Sequence, residues 1–85
     1  ANALAGPGDT VTWYADATSE VDYEAELGVV IGKPAYRVTK EDALSYVGGY
    51  TCVNDISARD IQLSDSGKQW ILGKTLDAFC PVRML

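Results

Sequence analysis

Glu24 and Glu26 are the residues whose type and spacing most directly suggest chemistry in this chain. Two carboxylates two positions apart on a strand share one face, with Cα atoms roughly 6.5–7 Å apart. Converging charges of one sign repel unless a cation lies between them. Carboxylate oxygens are hard ligands, suited to Mg²⁺, Mn²⁺ or Ca²⁺, and Mg²⁺ keeps waters that a chelating molecule can replace. Asp55, at the end of a run of strand-forming residues, is a third ligand of the same type. The residues alone leave a second reading open, because an acidic alternation on a strand is more often a solvated face.

The absence of histidine narrows the chemistry further. It removes the most frequent general base and the usual zinc, copper and haem ligand, leaving carboxylates, Lys, Arg, Tyr, hydroxyls and backbone amides. Cys52 and Cys80 lie in apolar surroundings without a CxxC partner, which suggests buried, reduced thiols rather than a zinc or dithiol site.

The elements that must carry these groups follow from the hydrophobic pattern. Val21, Tyr23, Ala25 and Leu27 alternate with Asp22, Glu24 and Glu26, giving a strand with an acidic face. It continues through Gly28–Ile31, an apolar run suited to burial on both faces, and stops at Gly-Lys-Pro. Thr39 followed by Lys40, Glu41 and Asp42 reads as a capped helix start, with Ala43, Leu44 and Val47 on one face and a stop at Gly48-Gly49. Residues 50–54 form a second strand that delivers Asp55 at its tip. Beyond it come a polar stretch with a short helical phase at Ile56, Ile61 and Leu63, an extended apolar piece from Trp70 to Leu72, and a closing strand or loop over Leu76–Val82. The opening Gly-Pro-Gly-Asp is a turn leading into an extended Val11–Tyr14. The fold class expected is mostly β with short helices, of α+β type. Tyr23, Tyr50, Trp70 and Phe79 are expected to serve packing, and Asp22 either to accept hydrogen bonds behind the ligands or to face water.

At 85 residues the chain has room for one small domain, residues 1–85, and its 47% hydrophobic and 22% charged composition is that of a globular protein. A net charge of −5 without a basic cluster argues against nucleic acid and against anionic membrane surfaces. The longest apolar stretch, Leu27–Ile31, is far short of the roughly 20 residues that span a bilayer. A cytoplasmic location is expected, with a mitochondrial one the alternative.

Three segments, DYEAELGVVIGK, GGYTCVNDISARDIQ and KQWILGKTLDAFCPV, together resemble in order and spacing the core of the fumarylacetoacetate hydrolase family, from about position 4 to 82. The resemblance implies part of that family's mixed β-roll and a divalent metal, Mg²⁺ or Mn²⁺, held by Glu24, Glu26 and Asp55. It also implies a substrate among short 2-oxo or 1,3-dioxo acids of the acylpyruvate, oxaloacetate or fumarylacetoacetate class, hydrolysed or decarboxylated through a metal-chelated enolate. Arg59 and Gln62 fall at the pocket edge by the same carry-over, Gln62 placed to bond a substrate carbonyl or carboxylate. Lys74 takes the position that polarises the reacting carbonyl, where an ammonium stabilises developing negative charge. Without the resemblance, Arg59 with Asp60 reads as a surface ion pair, Gln62 as solvated and Lys74 as a turn residue.

The chain also departs from the family. It is less than half the usual length and lacks an upstream loop bearing a His and a Glu and a downstream Thr-Gly stretch. After Phe-Cys-Pro-Val it runs into Arg83, Met84 and Leu85 where Gly-Pro would follow. These departures imply a truncated central segment, with uncovered strand edges and a tendency to form a homodimer. They keep open an alternative in which the chain is a catalytically incomplete metal-binding or interaction fragment.

Overall fold

The computed structural model describes residues 2–64 and 69–83. The later part of the polar stretch (65–68) and the last two positions (84–85) lie outside the described residues. The chain folds as strands β1 (Leu4–Ala5), β2 (Val21–Asp22), β3 (Ala25–Ile31), β4 (Val47–Asn54), β5 (Ser57–Ala58) and β6 (Cys80–Pro81), with helices α1 (Arg59–Leu63) and α2 (Trp70–Lys74). Strand residues outnumber helical ones, and parallel and antiparallel pairing both occur. The expected class, mostly β with short helices, is the one observed.

One antiparallel ladder organises the site. Val21 lies opposite Ala58 and Asp22 opposite Ser57. After an interruption of two residues on each side, Ala25 lies opposite Asn54 and Glu26 opposite Val53 in the same register. Backbone bonds bridge and prolong it: Asp55 N donates to Glu24 O at 3.0 Å, and Arg59 N to Glu20 O at 2.8 Å. The single strand expected across residues 21–31 is therefore interrupted only at Tyr23 and Glu24, where β2 ends and β3 begins. Because opposite residues in an antiparallel ladder share a face, positions 22, 24 and 26 look to the same side as 53, 55 and 57.

The other side of this ladder is the core. Ala58 and Phe79 are fully buried, Ile56 nearly so, and Val11, Val21, Ile61 and Leu76 pack against them. Phe79 O accepts the Ile56 amide at 2.9 Å, tying the closing segment to the interrupted part of the ladder. The parallel β1–β6 pair holds that segment in place.

Several sequence expectations change. The helix expected from Lys40 to Val47 is a single 3₁₀ turn, Ala43–Tyr46. Thr39 Oγ1 does accept the Asp42 amide at 3.3 Å, but Val47 and the following glycines are drawn into the ladder opposite Ile31 and Val30. Gly48 is thus a strand residue rather than a helix stop. Its close approach to Gly32 explains the pair, since a Cβ on Gly32 would lie 2.7 Å from the Gly48 Cα. Trp70–Leu72 is helical rather than extended, because three consecutive apolar residues do not distinguish the two periods and Gln69 Oε1 accepts the Ile71 amide at 3.4 Å as a cap. Among the described residues, Val11–Tyr14 joins no ladder.

Burial on both faces of Gly28–Ile31 is not observed: Val30 is 47% exposed and Ile31 59%. Among the described residues, β3 pairs only with β4, and its apolar side chains stay about half exposed or more. Tyr23, Tyr50 and Trp70 are also exposed, correcting their expected packing role, whereas Phe79 fills it. Cys52 is exposed on β4 and Cys80 half-buried, so neither is the buried thiol anticipated. Among the described residues, no helix is long and apolar enough to cross a membrane.

Candidate active site

The interruption of the ladder is where the charged groups gather. Glu24 leaves the pleat between β2 and β3, its amide donating to Asn54 Oδ1 at 3.2 Å, and stands opposite Asp55, which leaves the pleat between β4 and β5. Glu26, two residues on, belongs to the same face. One oxygen from each of Glu24, Glu26 and Asp55 lies within 4.8 Å of the others. The two-residue spacing that suggested convergence on a strand is joined by the cross-strand partner that the register supplies.

Two cations face this group from the helices. Lys74, in the last turn of α2, donates from Nζ to Asp55 Oδ2 at 2.7 Å, Ser57 Oγ at 2.8 Å and Glu24 Oε2 at 3.0 Å. Arg59, at the start of α1, donates to Glu24 Oε1 at 2.5 Å and to Gln62 Oε1 at 2.9 Å, and its Nε and second terminal nitrogen both reach Asp22 Oδ2, at 3.1 and 3.0 Å. Arg59 therefore serves the cluster rather than pairing with Asp60. Asp60 instead accepts from Thr18 Oγ1 at 2.5 Å and from the Ser19 amide at 3.1 Å. Gln62 is buried rather than solvated, at 3% exposure. Asp22 resolves as an acceptor behind the carboxylates.

The electrostatics follow from these contacts. The hydrogen bond from Arg59, then that from Lys74, holds the Glu24 carboxyl below its ordinary range. Glu24 and then Asp22 hold the Arg59 guanidinium above its own. Burial works against the charge on Lys74, but the bonds to Asp55 and Glu24 outweigh it and raise the ammonium above its ordinary value. Glu24, Arg59 and Lys74 are thus held in their charged forms. Four carboxylates, Asp22, Glu24, Glu26 and Asp55, face two cations, Arg59 and Lys74. The surplus of two negative charges and the all-oxygen donor set fit a divalent hard cation.

Two positioning residues escaped sequence reasoning. Ser57 is fully buried, holds the Lys74 ammonium and donates to the Asp55 carbonyl at 3.1 Å. Its place two residues after Asp55 on an alternating strand was the available signal. Gly73 packs α2 against α1: a Cβ there would lie 2.7 Å from Ala58 O and 2.9 Å from the Gln62 amide nitrogen. Only a glycine brings the backbone of the residue before Lys74 this close.

Comparisons with known proteins bear on the family and the fold. Residues 1–83 match the family model of the fumarylacetoacetate (FAA) hydrolase C-terminal region. The chain belongs to the fumarylacetoacetate hydrolase family. Among similar proteins, a fumarylacetoacetate hydrolase domain-containing protein 2 homolog of Dictyostelium discoideum is 54% identical over 95% of this chain and 26% of its own length. The mitochondrial oxaloacetate tautomerase fahd2 of Xenopus laevis is 49% identical over 96% and 25%, and the oxaloacetate tautomerase YisK of Bacillus subtilis 52% identical over 93% and 26%. The chain thus spans about a quarter of the length of these relatives. Among solved structures, a fumarylacetoacetate hydrolase from Exiguobacterium antarcticum superposes with a TM-score of 0.85 at 42% identity, over 93% of this chain and 28% of the other. A 2-hydroxyhepta-2,4-diene-1,7-dioate isomerase from Mycobacterium marinum gives 0.86 at 42% identity, over 95% and 31%. The fold is thus part of the family's fold.

Proposed function

We propose that this chain carries the metal-binding and charge-stabilising part of an enzyme acting on a short 2-oxo acid, with keto–enol tautomerisation of an oxaloacetate-like substrate as the favoured reaction. The observation that carries the reading is the convergence of Glu24, Glu26 and Asp55 beside the Lys74 ammonium. Hydrolysis, decarboxylation and tautomerisation of oxo acids share an enolate, and the similarity to named oxaloacetate tautomerases weights the choice towards the last.

In this reading Glu24, Glu26 and Asp55 hold Mg²⁺ or Mn²⁺. The ion, when bound, supplies Lewis-acid stabilisation to the oxo acid's oxygens. Lys74 directs its ammonium at the oxygen on which negative charge develops, an interaction stronger in the transition state than in the ground state. Arg59, clamped by Asp22 and Gln62, fixes the orientation of Glu24. Because the Gln62 oxygen is taken by Arg59, the amide nitrogen is the end that donates to a substrate carbonyl or carboxylate. The proton exchanged at carbon passes through a group outside this cluster, since the chain has no histidine and both Glu24 and Asp55 are committed to cations.

A second reading, a metal-binding segment without turnover of its own, is favoured by one observation: all three Lys74 N–H groups are already bonded within the protein. One experiment separates the two. The ultraviolet absorbance of enol-oxaloacetate is followed with Mg²⁺ and purified chain against free Mg²⁺, while Mn²⁺ binding is titrated in parallel. The enzymatic reading requires a rate above the free-ion background that is lost in Asp55→Asn. Binding without a rate selects the second reading. Binding indifferent to combined Glu24→Gln and Glu26→Gln removes the metal site from both.

A further inference from the structure

Building on the proposed metal site, we infer that the Lys74 ammonium is a built-in counter-cation, which an incoming divalent ion displaces from Glu24 and thereby frees for substrate. An ammonium has three N–H donors, and those of Lys74 are met by Asp55 Oδ2, Ser57 Oγ and Glu24 Oε2. In this arrangement none remains for a ligand. Glu24 is committed at both oxygens, Oε1 to Arg59 and Oε2 to Lys74. A divalent ion arriving at Oε2 therefore lies beside a positive charge, and their repulsion favours withdrawal of the ammonium from that oxygen.

The contacts indicate which cation yields. Arg59 is held by four hydrogen bonds in a planar fork shared among Asp22, Glu24 and Gln62. Lys74 reaches Glu24 through its longest bond, 3.0 Å, at the end of a four-carbon stem whose rotamers change without moving α2. Ser57, fully buried, offers it a neutral partner to keep after the exchange. The Glu26 side chain has no hydrogen bond or ion pair within the described residues and is the natural first contact for the ion. Exchange at Glu24 would then release one N–H into the site only when the metal has arrived. A chelating oxo acid would thus meet the Lewis acid and the hydrogen-bond donor together.

The sign of the metal-affinity change tests this. Removing a competing positive charge next to the ion should tighten Mn²⁺ binding in Lys74→Met and Lys74→Gln by on the order of tenfold or more, as read by calorimetry and by the paramagnetic signal of free Mn²⁺. A lysine that merely props up the carboxylates predicts the opposite. Unchanged or weaker binding in folded variants overturns the inference. In the unmodified chain, the ¹⁵Nζ resonance of Lys74 should shift as Mg²⁺ saturates the site, which decides the matter even if both variants unfold. Metal binding with an unmoved Lys74 resonance refutes the exchange and leaves the proposed site standing. Absence of binding by the unmodified chain refutes both.

Discussion

Replacing Gly73 by alanine sets two effects of known sign against each other. On helix propensity alone, Gly→Ala inside α2 should stabilise by about 0.8–1.0 kcal/mol. The new methyl, however, would lie 2.7 Å from Ala58 O, 2.9 Å from the Gln62 amide nitrogen and 2.9 Å from Gln62 Cβ. Two of these atoms are backbone and cannot rotate aside. Restoring a 3.4 Å contact to Ala58 O requires α2 to move by roughly 0.7 Å, and overpacking of this kind costs about 1–3 kcal/mol. The difference is a net loss of up to about 2 kcal/mol. At roughly 4–8 °C per kcal/mol for a domain of this size, the melting temperature should fall by several degrees, measured by circular dichroism. Lys74 is the next residue, so the same displacement lengthens its 2.7 Å bond to Asp55, and misplacement on this scale costs up to about 10²-fold in rate. Ile71→Ala, on an exposed position of the same helix, should leave both quantities nearly unchanged. A Gly73→Ala protein that melts at or above the temperature of the unmodified chain would refute the argument, because helix propensity would then have outweighed contact.

Asp60 provides a test with pH. The Thr18 hydroxyl, then the Ser19 amide, holds its carboxyl below the ordinary value of 3.8. Its bonds therefore contribute stability above pH 3.8 and lose it as the pH falls through the depressed folded value. Asp60→Asn should flatten stability against pH in that acid window, as seen in melting temperatures taken at successive pH values. Phe79→Ala opens the centre of the core and should cost about 3–5 kcal/mol, enough to leave most of a marginal chain unfolded by urea titration. Ala78 adopts a left-handed backbone, φ 60°, which costs an L-residue about 1–2 kcal/mol. Ala78→Gly should raise the melting temperature, offset in part by the extra freedom of the unfolded chain, and a fall would count against the assigned strain.

The acidic alternation of Asp22, Glu24 and Glu26 was legible because a strand has a period of two, and no other element places three carboxylates side by side at that spacing. Asp55 was legible as a strand end, and the resemblance to the family supplied Arg59, Gln62 and Lys74 as members of one group. Short-range pattern failed where long-range pairing won. Val47 and Gly48 were taken from a helix into the ladder, and Trp70–Leu72 had too little periodicity to reveal its helix. Residue type suggested burial for Tyr23, Tyr50, Trp70 and Cys52, but burial depends on what packs against a residue, and within the described residues little packs against these four.

Sequence by itself determined the chemical character of the site: hard oxygen donors, an ammonium, a guanidinium, and no imidazole. These are properties of residue type and survive any folding. Tertiary structure decided who meets whom. Glu24 faces Asp55 because the ladder keeps one register through its interruption, a fact carried by hydrogen bonds between segments some thirty residues apart. Lys74 reaches both because Gly73 lets α2 lie against α1. The Lys74 ammonium sits among the carboxylates because opposite charges at this range neutralise each other across whatever backbone brings them together, and no local spacing encodes that distance.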